Sequence, residues 1–344
     1  MRAVVYRRHG GPEVVTSTTL PRPEPGPGEA LVAVTACALN HLDLWVRAGL
    51  PGVTVEMPHV PGSEIAGAIA ALGPGVRGWE PGEPVLVAPG LSCGECPACR
   101  EGDDTSCPRF DILGFRRDGG FAEFARVPAR NLRRRSTRLT PVEWAAVPLT
   151  FLTAWRMLST LARTAPGEWV LVMGAGSGVG VAAIQIARHL GARVIAASSS
   201  DTKVEKAKAL GAEAGVNYAS GSFAPHVREI TGGRGADVVV EHTGGSLFVE
   251  ALRSLARRGR LVTCGATCGG TAPIEIRSLY LNQQVVLGSY MGGRRELEEV
   301  LSLVEEGKLK PVIDSVFPLE RAAVALARME RRENFGKIVL EVSP

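Results

Sequence analysis

The stretch from Glu168 to Ser200, EWVLVMGAGSGVGVAAIQIARHLGARVIAASSS, decides how the chain is read. Trp169 to Met173 is a continuous apolar run too short for a helix, and its β-rich composition predicts a buried parallel strand. Gly174, Gly176, Gly178 and Gly180 follow at alternate positions. Residues without a Cβ let a strand turn sharply into a helix and let backbone N–H groups close on an anion. The spacing predicts a helix over Val181 to Leu190, with Val179, Ala183, Ile186 and Leu190 on one face and Gly191 at its C-terminal cap. Arg193 to Ala197 then reads as a second strand.

A β-α-β unit of this kind is the first half of a dinucleotide fold, in which a pyrophosphate rests on the helix N-terminus. The loop reads G-A-G-S-G-V-G and does not match G-x-G-x-x-G literally, so the flanking strand and helix carry the reading. Trp169 to Ala187 is apolar enough to suggest a membrane span, but clustered glycines are poor in helix interiors and argue against one.

The totals suit a soluble globular chain. Its 344 residues predict two domains, and 45% hydrophobic residues are enough for ordinary cores. The net charge of +4 comes from 39 basic and 35 acidic residues spread along the chain, with one short basic run at Arg133-Arg134-Arg135. That distribution argues against a nucleic-acid partner. The first residues lack the apolar core of a signal peptide, so a cytoplasmic protein is expected. In that compartment seven cysteines point to metal or reactive thiols rather than disulfides.

Taken in order, Met1 to Val15 and Ala30 to Ala36 read as strands separated by the stiff loop PRPEPGPGE. Cys37 to Gly49 is expected to form a short helix entered from a strand, holding Asn40, His41 and Asp43 together. The turn PHVPGSE leads into a strand from Ile65 to Ala71, and the glycine and proline punctuation beyond it suits a partly open β-barrel. Gly120 to Pro128 resumes that pattern, and Pro141 to Leu161 reads as helical with a break at Pro148. After the glycine stretch, helices are expected at Thr202 to Leu210, Phe223 to Thr231 and Phe248 to Ala256. They alternate with strands at Gly215 to Tyr218, Asp237 to Glu241, Arg260 to Cys264 and Gln284 to Tyr290. Such alternation implies a parallel, doubly wound sheet. Two helices, Arg294 to Glu306 and Leu319 to Arg332, and a strand from Lys337 to Val342 close the chain.

Cys93, Cys96, Cys99 and Cys107 place four thiols within fifteen residues, a spacing that matches tetrahedral coordination of one zinc ion. No histidine or open position lies in the cluster, so a closed structural site is expected. An iron–sulfur cluster and free or disulfide-paired cysteines are the alternatives.

A barrel-like N-terminal part, a four-cysteine lobe, a central nucleotide fold and a returning C-terminal strand together resemble the medium-chain dehydrogenase/reductase superfamily. The zinc lobe is similar to that of zinc-containing alcohol dehydrogenases, while LNHLDLWVRAG, PGSEIAG and PLTFLTAW look like the quinone-oxidoreductase branch. The resemblance implies an α/β protein with a GroES-like partly open barrel over residues 1–149, including the zinc lobe at 93–107. A Rossmann doubly wound parallel sheet over 150–290 follows, and 291–344 returns to the first domain.

In that superfamily a catalytic zinc uses a cysteine, a histidine beside a glutamate, and a second cysteine. Cys37 stands at the first position. The second reads Gly62-Ser63-Glu64, with serine for histidine. The third falls at Leu149 when Thr153-Ala154-Trp155 is aligned on the family's Thr-x-aromatic pattern. No catalytic zinc is therefore expected, with His59, His41 or Asp43 as the residues that would rescue such a site. The resemblance implies Asn40 near the nicotinamide, Asp43 close by, Trp45 at an aromatic substrate position and Thr153 against the nicotinamide face. Helix capping is the plainer reading of Asn40 and Asp43.

The same fold implies cofactor contacts from Gly176, Ser177, Gly178, Val179 and Gly180, and from Thr243, Cys264, Gly265 and Ala266 at the strand ends. The second strand ends Ser198-Ser199-Ser200, without the acid that binds a ribose diol and would repel a 2′-phosphate. Lys203 follows, Asn217-Tyr218 resembles the pair beside the adenosine phosphate in the NADPH-using branch, and Asp201 reads as an N-cap. NADPH is expected over NADH. The leading reading is an NADPH-dependent reductase of quinones or α,β-unsaturated carbonyls with one structural zinc. The alternatives are a zinc alcohol dehydrogenase with unusual ligands and an NADPH-binding protein without turnover. A small-molecule substrate and a homodimer paired through Val285 to Ser289 complete the expectation.

Overall fold

A computed structural model of the chain describes residues 1–342. Two compact units divide it: Met1–Leu149 with Gly293–Glu305 and the segment from Pro311 onward, and Thr150–Gly292 with Glu306–Lys310.

Gly10-Gly11-Pro12 interrupts what the pattern alone suggests is one long strand, because neither residue type continues a ladder. Instead β1 (Arg2–Tyr6) passes through a 3₁₀ turn into β2 (Val15–Thr19), which folds back antiparallel on it. There follow β3 (Glu29–Ala38), α1 (His41–Ala48), β4 (Glu64–Leu72), β5 (Pro84–Val87), β6 (Gly90–Leu91) and α2 (Pro97–Glu101). The short strand β7 (Asp111–Ile112) precedes β8 (Phe124–Pro128), β9 (Leu132–Arg134) and α3 (Pro141–Ala145). The break expected at Pro148 separates α3 from α4 (Thr150–Trp155), whose last turns widen to a π-helix over Arg156–Leu161.

The second unit continues with β10 (Trp169–Val172), α5 (Gly178–His189), β11 (Arg193–Ser198), α6 (Asp201–Ala209), β12 (Ala214–Asn217) and α7 (Ala224–Ile230). Then come β13 (Ala236–Glu241), α8 (Gly245–Arg253), β14 (Leu255–Thr263), α9 (Ile276–Leu281) and β15 (Val285–Gly288). Four elements belong to the first unit again: α10 (Arg294–Glu305), β16 (Ile313–Pro318), α11 (Ala322–Glu330) and β17 (Lys337–Glu341).

In the first unit the order β16-β17-β3-β4-β5-β9, with β8 also on β3, forms the partly open GroES-like barrel. Backbones meet closely where Gly62 enters β4. Its φ is +102°, and a Cβ there would stand 2.4 Å from Phe121 Cδ1 and 2.8 Å from Cys37 Sγ. Phe121 and Cys37 are fully buried at this crossing.

In the second unit the order β12-β11-β10-β13-β14-β15 is parallel throughout, a Rossmann sheet. Trp169, Leu171 and Met173 point to one face and join a core with Val227 and Phe248 from α7 and α8. Helix α5 starts earlier than the pattern predicts because Ser177 caps it, its hydroxyl accepting the Gly180 N–H at 2.9 Å. Ala183 and Ile186 are buried as expected, Val179 and Leu190 only half so, and Val181, Ala182 and Ile184 are buried too.

Two further expectations need correction. Asp201 is the first residue of α6, not its N-cap; Ser200 holds that place, and Asp201 Oδ1 accepts from Asn217 Nδ2 at 2.9 Å. Helix α8 ends at Arg253 and β14 begins at Leu255, five residues before the expected Arg260, through a register shift that places Arg258 at φ +62°. The elements α9 and β16 escape the pattern because neither buries a residue fully. Among the described residues no helix is long and apolar enough to cross a membrane.

Gly62→Ala would combine an overpacked crossing with a left-handed backbone, a loss of about 2 kcal/mol or more. A fall in the thermal midpoint of the first unit, followed by circular dichroism, checks this.

Candidate active site and metal lobe

The turn from β10 to α5 brings Gly176, Ser177, Gly178, Val179 and Gly180 together at the head of the helix. Gly180 has no room for a side chain, since a Cβ would stand 2.4 Å from the Gly174 carbonyl oxygen. By helix geometry the Gly178 and Val179 amides have no partner within α5, and they carry the positive end of its dipole. A diphosphate fits such a cradle.

Around it stand the ends of the neighbouring strands. Ser198 is buried, Ser199 exposed, and Lys203 and Tyr218 half-buried, with the Tyr218 ring 6.4 Å from that of Phe223. Thr243 is fixed by Glu241, a carboxylate with no exposure. Glu241 Oε1 accepts from the Thr243 N–H at 2.6 Å and the Gly244 N–H at 2.8 Å, as well as from the Thr243 hydroxyl. Its Oε2 accepts from Thr263 Oγ1 at 3.0 Å, which ties the end of β13 to β14 just before Cys264, Gly265 and Ala266. Thr153, on α4, is buried with its hydroxyl 4.0 Å from Met291 Sδ.

In the first unit a second buried carboxylate organises the residues expected near chemistry. Glu64 Oε1 accepts the Leu149 N–H at 2.6 Å, and Oε2 accepts from Lys337 Nζ at 2.6 Å and Asn40 Nδ2 at 3.0 Å. Lys337 gives its other two protons to the Leu39 carbonyl at 2.5 Å and Asn40 Oδ1 at 2.7 Å. An ammonium with three donors thus meets three acceptors. The side chains of Lys337 and Glu64 are 3% and 0% exposed, so the pair is shielded from water.

Asn40 and Asp43 form a capping box at the start of α1. Asp43 Oδ2 accepts the Asn40 N–H at 2.7 Å and Oδ1 the Gly62 N–H at 3.1 Å. Burial pushes its carboxyl up to about 7 against the pull of those amides. Trp45, one turn on, is half-buried, with the His41 ring edge-on at 5.5 Å.

Cys37 is fully buried on β3. Its Sγ packs under Gly62 and Gly120, and burial pushes the thiol well above its ordinary range. The His59 Nε2 lies 3.0 Å from the Gly114 carbonyl and Nδ1 3.6 Å from Asp118, so that ring is engaged elsewhere. Ser63 is fully buried with no partner for its hydroxyl among the described residues. Sequence reasoning missed Lys337, whose one signal is a lysine opening the apolar run Lys337-Ile-Val-Leu.

The four lobe cysteines converge: their sulfurs all lie within 4.8 Å of one another, and Cys93 and Cys99 are 3.8 Å apart. A tetrahedron with zinc–sulfur bonds of about 2.3 Å has edges of about 3.8 Å, so the set fits zinc. Backbone N–H groups of Cys93 and Arg109 point at Cys107 Sγ, both at 3.4 Å, and that of Cys96 at Cys93 Sγ at 3.3 Å. Such donors favour thiolates. Four thiols this close conflict on their own: the Glu95 and Cys96 amides bring Cys93 down to about 5. Cys96, although the Cys99 amide pulls it down, is held up at about 11 by burial and the other sulfurs. A dication removes that conflict. Asp104 anchors the lobe, accepting from Ser92 Oγ at 3.0 Å and the Arg294 N–H at 2.9 Å.

A Rossmann sheet with a glycine turn at its first helix, together with a unit that holds a GroES-like barrel and a four-cysteine lobe, defines a nicotinamide-dependent oxidoreductase. Residues 178–306 match the zinc-binding dehydrogenase family and residues 26–136 the alcohol dehydrogenase GroES-like domain. An alcohol dehydrogenase of Geobacillus stearothermophilus is 34% identical, over 99% of this chain and 100% of its own. A crotonyl-CoA reductase of Streptomyces collinus is 33% identical, over 94% of this chain and 81% of its own. The crystal structure of an NAD-dependent alcohol dehydrogenase superposes with a TM-score of 0.95 at 49% identity, over 100% of both chains. The chain belongs to the medium-chain dehydrogenase/reductase superfamily.

Removing one member of the buried pair leaves the other uncompensated. Lys337→Met should lose roughly 3–5 kcal/mol of stability, and the double variant Lys337→Met/Glu64→Gln should regain much of it. Urea unfolding of the three proteins checks this. Cys99→Ser should lower both bound zinc, read by elemental mass spectrometry, and the thermal midpoint.

Proposed function

We propose that the protein is an NADPH-dependent reductase of quinones or α,β-unsaturated carbonyls, carrying one structural zinc in the Cys93, Cys96, Cys99 and Cys107 lobe and none for catalysis. The observation that carries this is Glu64: both of its oxygens are committed to Leu149, Asn40 and Lys337, and its neighbours Ser63 and Leu149 are not the histidine and cysteine of a catalytic zinc site.

Without a Lewis acid a simple ketone lacks its main electrophilic assistance. A conjugated acceptor needs less, because the charge left by hydride addition at its β-carbon spreads onto oxygen, where hydrogen bonds stabilise it. When bound, the reduced nicotinamide supplies the hydride. The turn from Gly176 to Gly180 would hold the diphosphate, with Thr243, Cys264, Gly265 and Ala266 as further contacts. Thr153 would pack on the nicotinamide and Trp45 line the substrate site. Asn40, oriented by Lys337, and Asp43, through the capping box, keep the start of α1 in place near the chemistry. Proton delivery to the product comes from water.

NADPH is favoured because β11 ends at Ser198 and is followed by Ser199 and Ser200, and the nearest acid, Asp201, is bonded to Asn217. Lys203 and Tyr218 would meet the adenosine phosphate. The solved relative named as NAD-dependent speaks for NADH. A homodimer is supported by the edge strand β15, near which Ile276, Tyr280 and Leu281 are 72%, 62% and 52% exposed. We place the enzyme in the cytoplasm, where reduced thiols hold zinc. The relatives named alcohol dehydrogenase favour a second reading, alcohol and aldehyde interconversion at a second zinc.

Elemental mass spectrometry of the purified protein should find one zinc per chain, and enone or quinone reduction should survive a chelator that leaves the lobe intact. Two zinc ions with chelator-sensitive alcohol oxidation would move the assignment to the second reading. Titration should find tighter binding of NADPH than NADH, and the reverse would refute the cofactor choice.

A further inference from the structure

His242 follows β13, beside buried Glu241, and its ring lies over the turn between β10 and α5. A Cβ on Gly174 would stand 2.6 Å from its Cε1, and one on Gly265 3.0 Å from its carbonyl oxygen. The residue is 9% exposed, held between glycines that follow β10 and β14. Its Nε2 lies 3.2 Å from Ser177 Oγ, the same oxygen that accepts the Gly180 N–H at 2.9 Å. In the neutral tautomer that carries its proton on Nδ1, Nε2 is the acceptor and Ser177 the donor. The hydroxyl proton of Ser177 then points at the ring and away from the head of α5.

A proton on the ring reverses this. Nε2 becomes a donor, Ser177 Oγ accepts from both His242 and Gly180, and its own O–H is free to turn to an anion at the helix head. Among the described residues Glu241, on β13, is the charged side chain that bears on the ring, and its oxygens are filled by Thr243, Gly244 and Thr263. Cys264, after β14, is uncharged, since burial pushes its thiol up to about 12. The turn from Gly174 to Gly180 and Thr267 contribute no side-chain charge, and the other titratable side chain on that loop is the exposed Cys268 thiol. Burial holds the imidazole below its ordinary range, so the free protein keeps it neutral near pH 7. A diphosphate carrying two negative charges nearby favours the cation.

We propose that His242 is a positioning residue of the diphosphate-binding turn: it sets the direction of the Ser177 hydroxyl, and its protonation turns that hydroxyl from the ring to the cofactor's diphosphate. The inference rests on the reading of this turn as the diphosphate cradle. Cofactor binding then takes up a proton from solvent, and affinity falls as pH rises, by at most about tenfold per pH unit between the free and bound midpoints of the imidazole.

ADP-ribose is the probe, because it carries the diphosphate without the hydride donor and without a 2′-phosphate that titrates near neutrality. The Cε1 protons of the six histidines are followed by NMR against pH in the full chain, with and without ADP-ribose; the His242 signal is the one lost in His242→Asn. Its midpoint should rise on binding. In parallel, calorimetry of Ser177→Ala should show an affinity loss of about tenfold at low pH, the worth of one charge-assisted hydrogen bond, and little loss at high pH. An unmoved His242 midpoint, or an equal loss for Ser177→Ala at every pH, overturns the proposal while leaving the cradle reading standing. No binding of ADP-ribose to the wild-type chain at any pH overturns both. Should His242→Asn fail to fold, the Ser177→Ala arm decides alone, and the resonance it shifts identifies His242.

Discussion

A carboxylate sealed from water sets the terms for the first unit. Glu64 has no exposure, and an ionised group in that position is tolerable only if every lone pair finds a donor and the charge finds its opposite. Lys337 supplies the charge, Asn40 and the Leu149 amide the remaining donors. The consequence is topological: β17 comes from the far end of the chain and must lie against β3 for Lys337 to reach Leu39 and Asn40. The returning segment therefore completes the polar interior of the barrel as well as its sheet, and it fixes the entry to α1.

Among the described residues the second unit solves a similar problem without a cation. Glu241 is equally buried, but its oxygens are filled by backbone amides and hydroxyls from Thr243, Gly244 and Thr263. Each buried acid holds irregular backbone where a side chain or a ligand must be presented, and Asp43 does the same for Gly62 and the cap of α1. Loops in such positions would carry unsatisfied polar groups without these acids. Rigid presentation, which a hydride-transfer enzyme needs for orientation, follows from that satisfaction.

Much of this was legible in one dimension. The glycine turn after Trp169–Val172 and the alternation of strands and helices beyond it specify a Rossmann sheet, because apolar run length and chain punctuation are local properties. The cysteine spacing specifies the lobe for the same reason. Less local features escaped. Helix α9 and strand β16 bury no residue fully, so no periodicity marks them. Cys37, the family-like ligand position, turns into the core beneath Gly62 and Gly120 because that packing depends on strands far apart in the chain. The N-cap of α6 fell one residue earlier than expected, since Asp201 found Asn217 across the sheet edge.

By itself, then, the sequence determined the two folds, the convergence of four cysteines in one lobe and the glycine turn at the head of α5, all of which arise from short-range spacing and the absence of side chains at particular glycines. Only the tertiary structure decided what the charged residues do. It paired Lys337 with Glu64, occupied Asp43 with amides, and laid His242 over the turn that Ser177 caps. The reason is physical: a buried charge takes its meaning from the partner that neutralises it, and that partner is chosen by distance in space, which spacing along the chain does not encode.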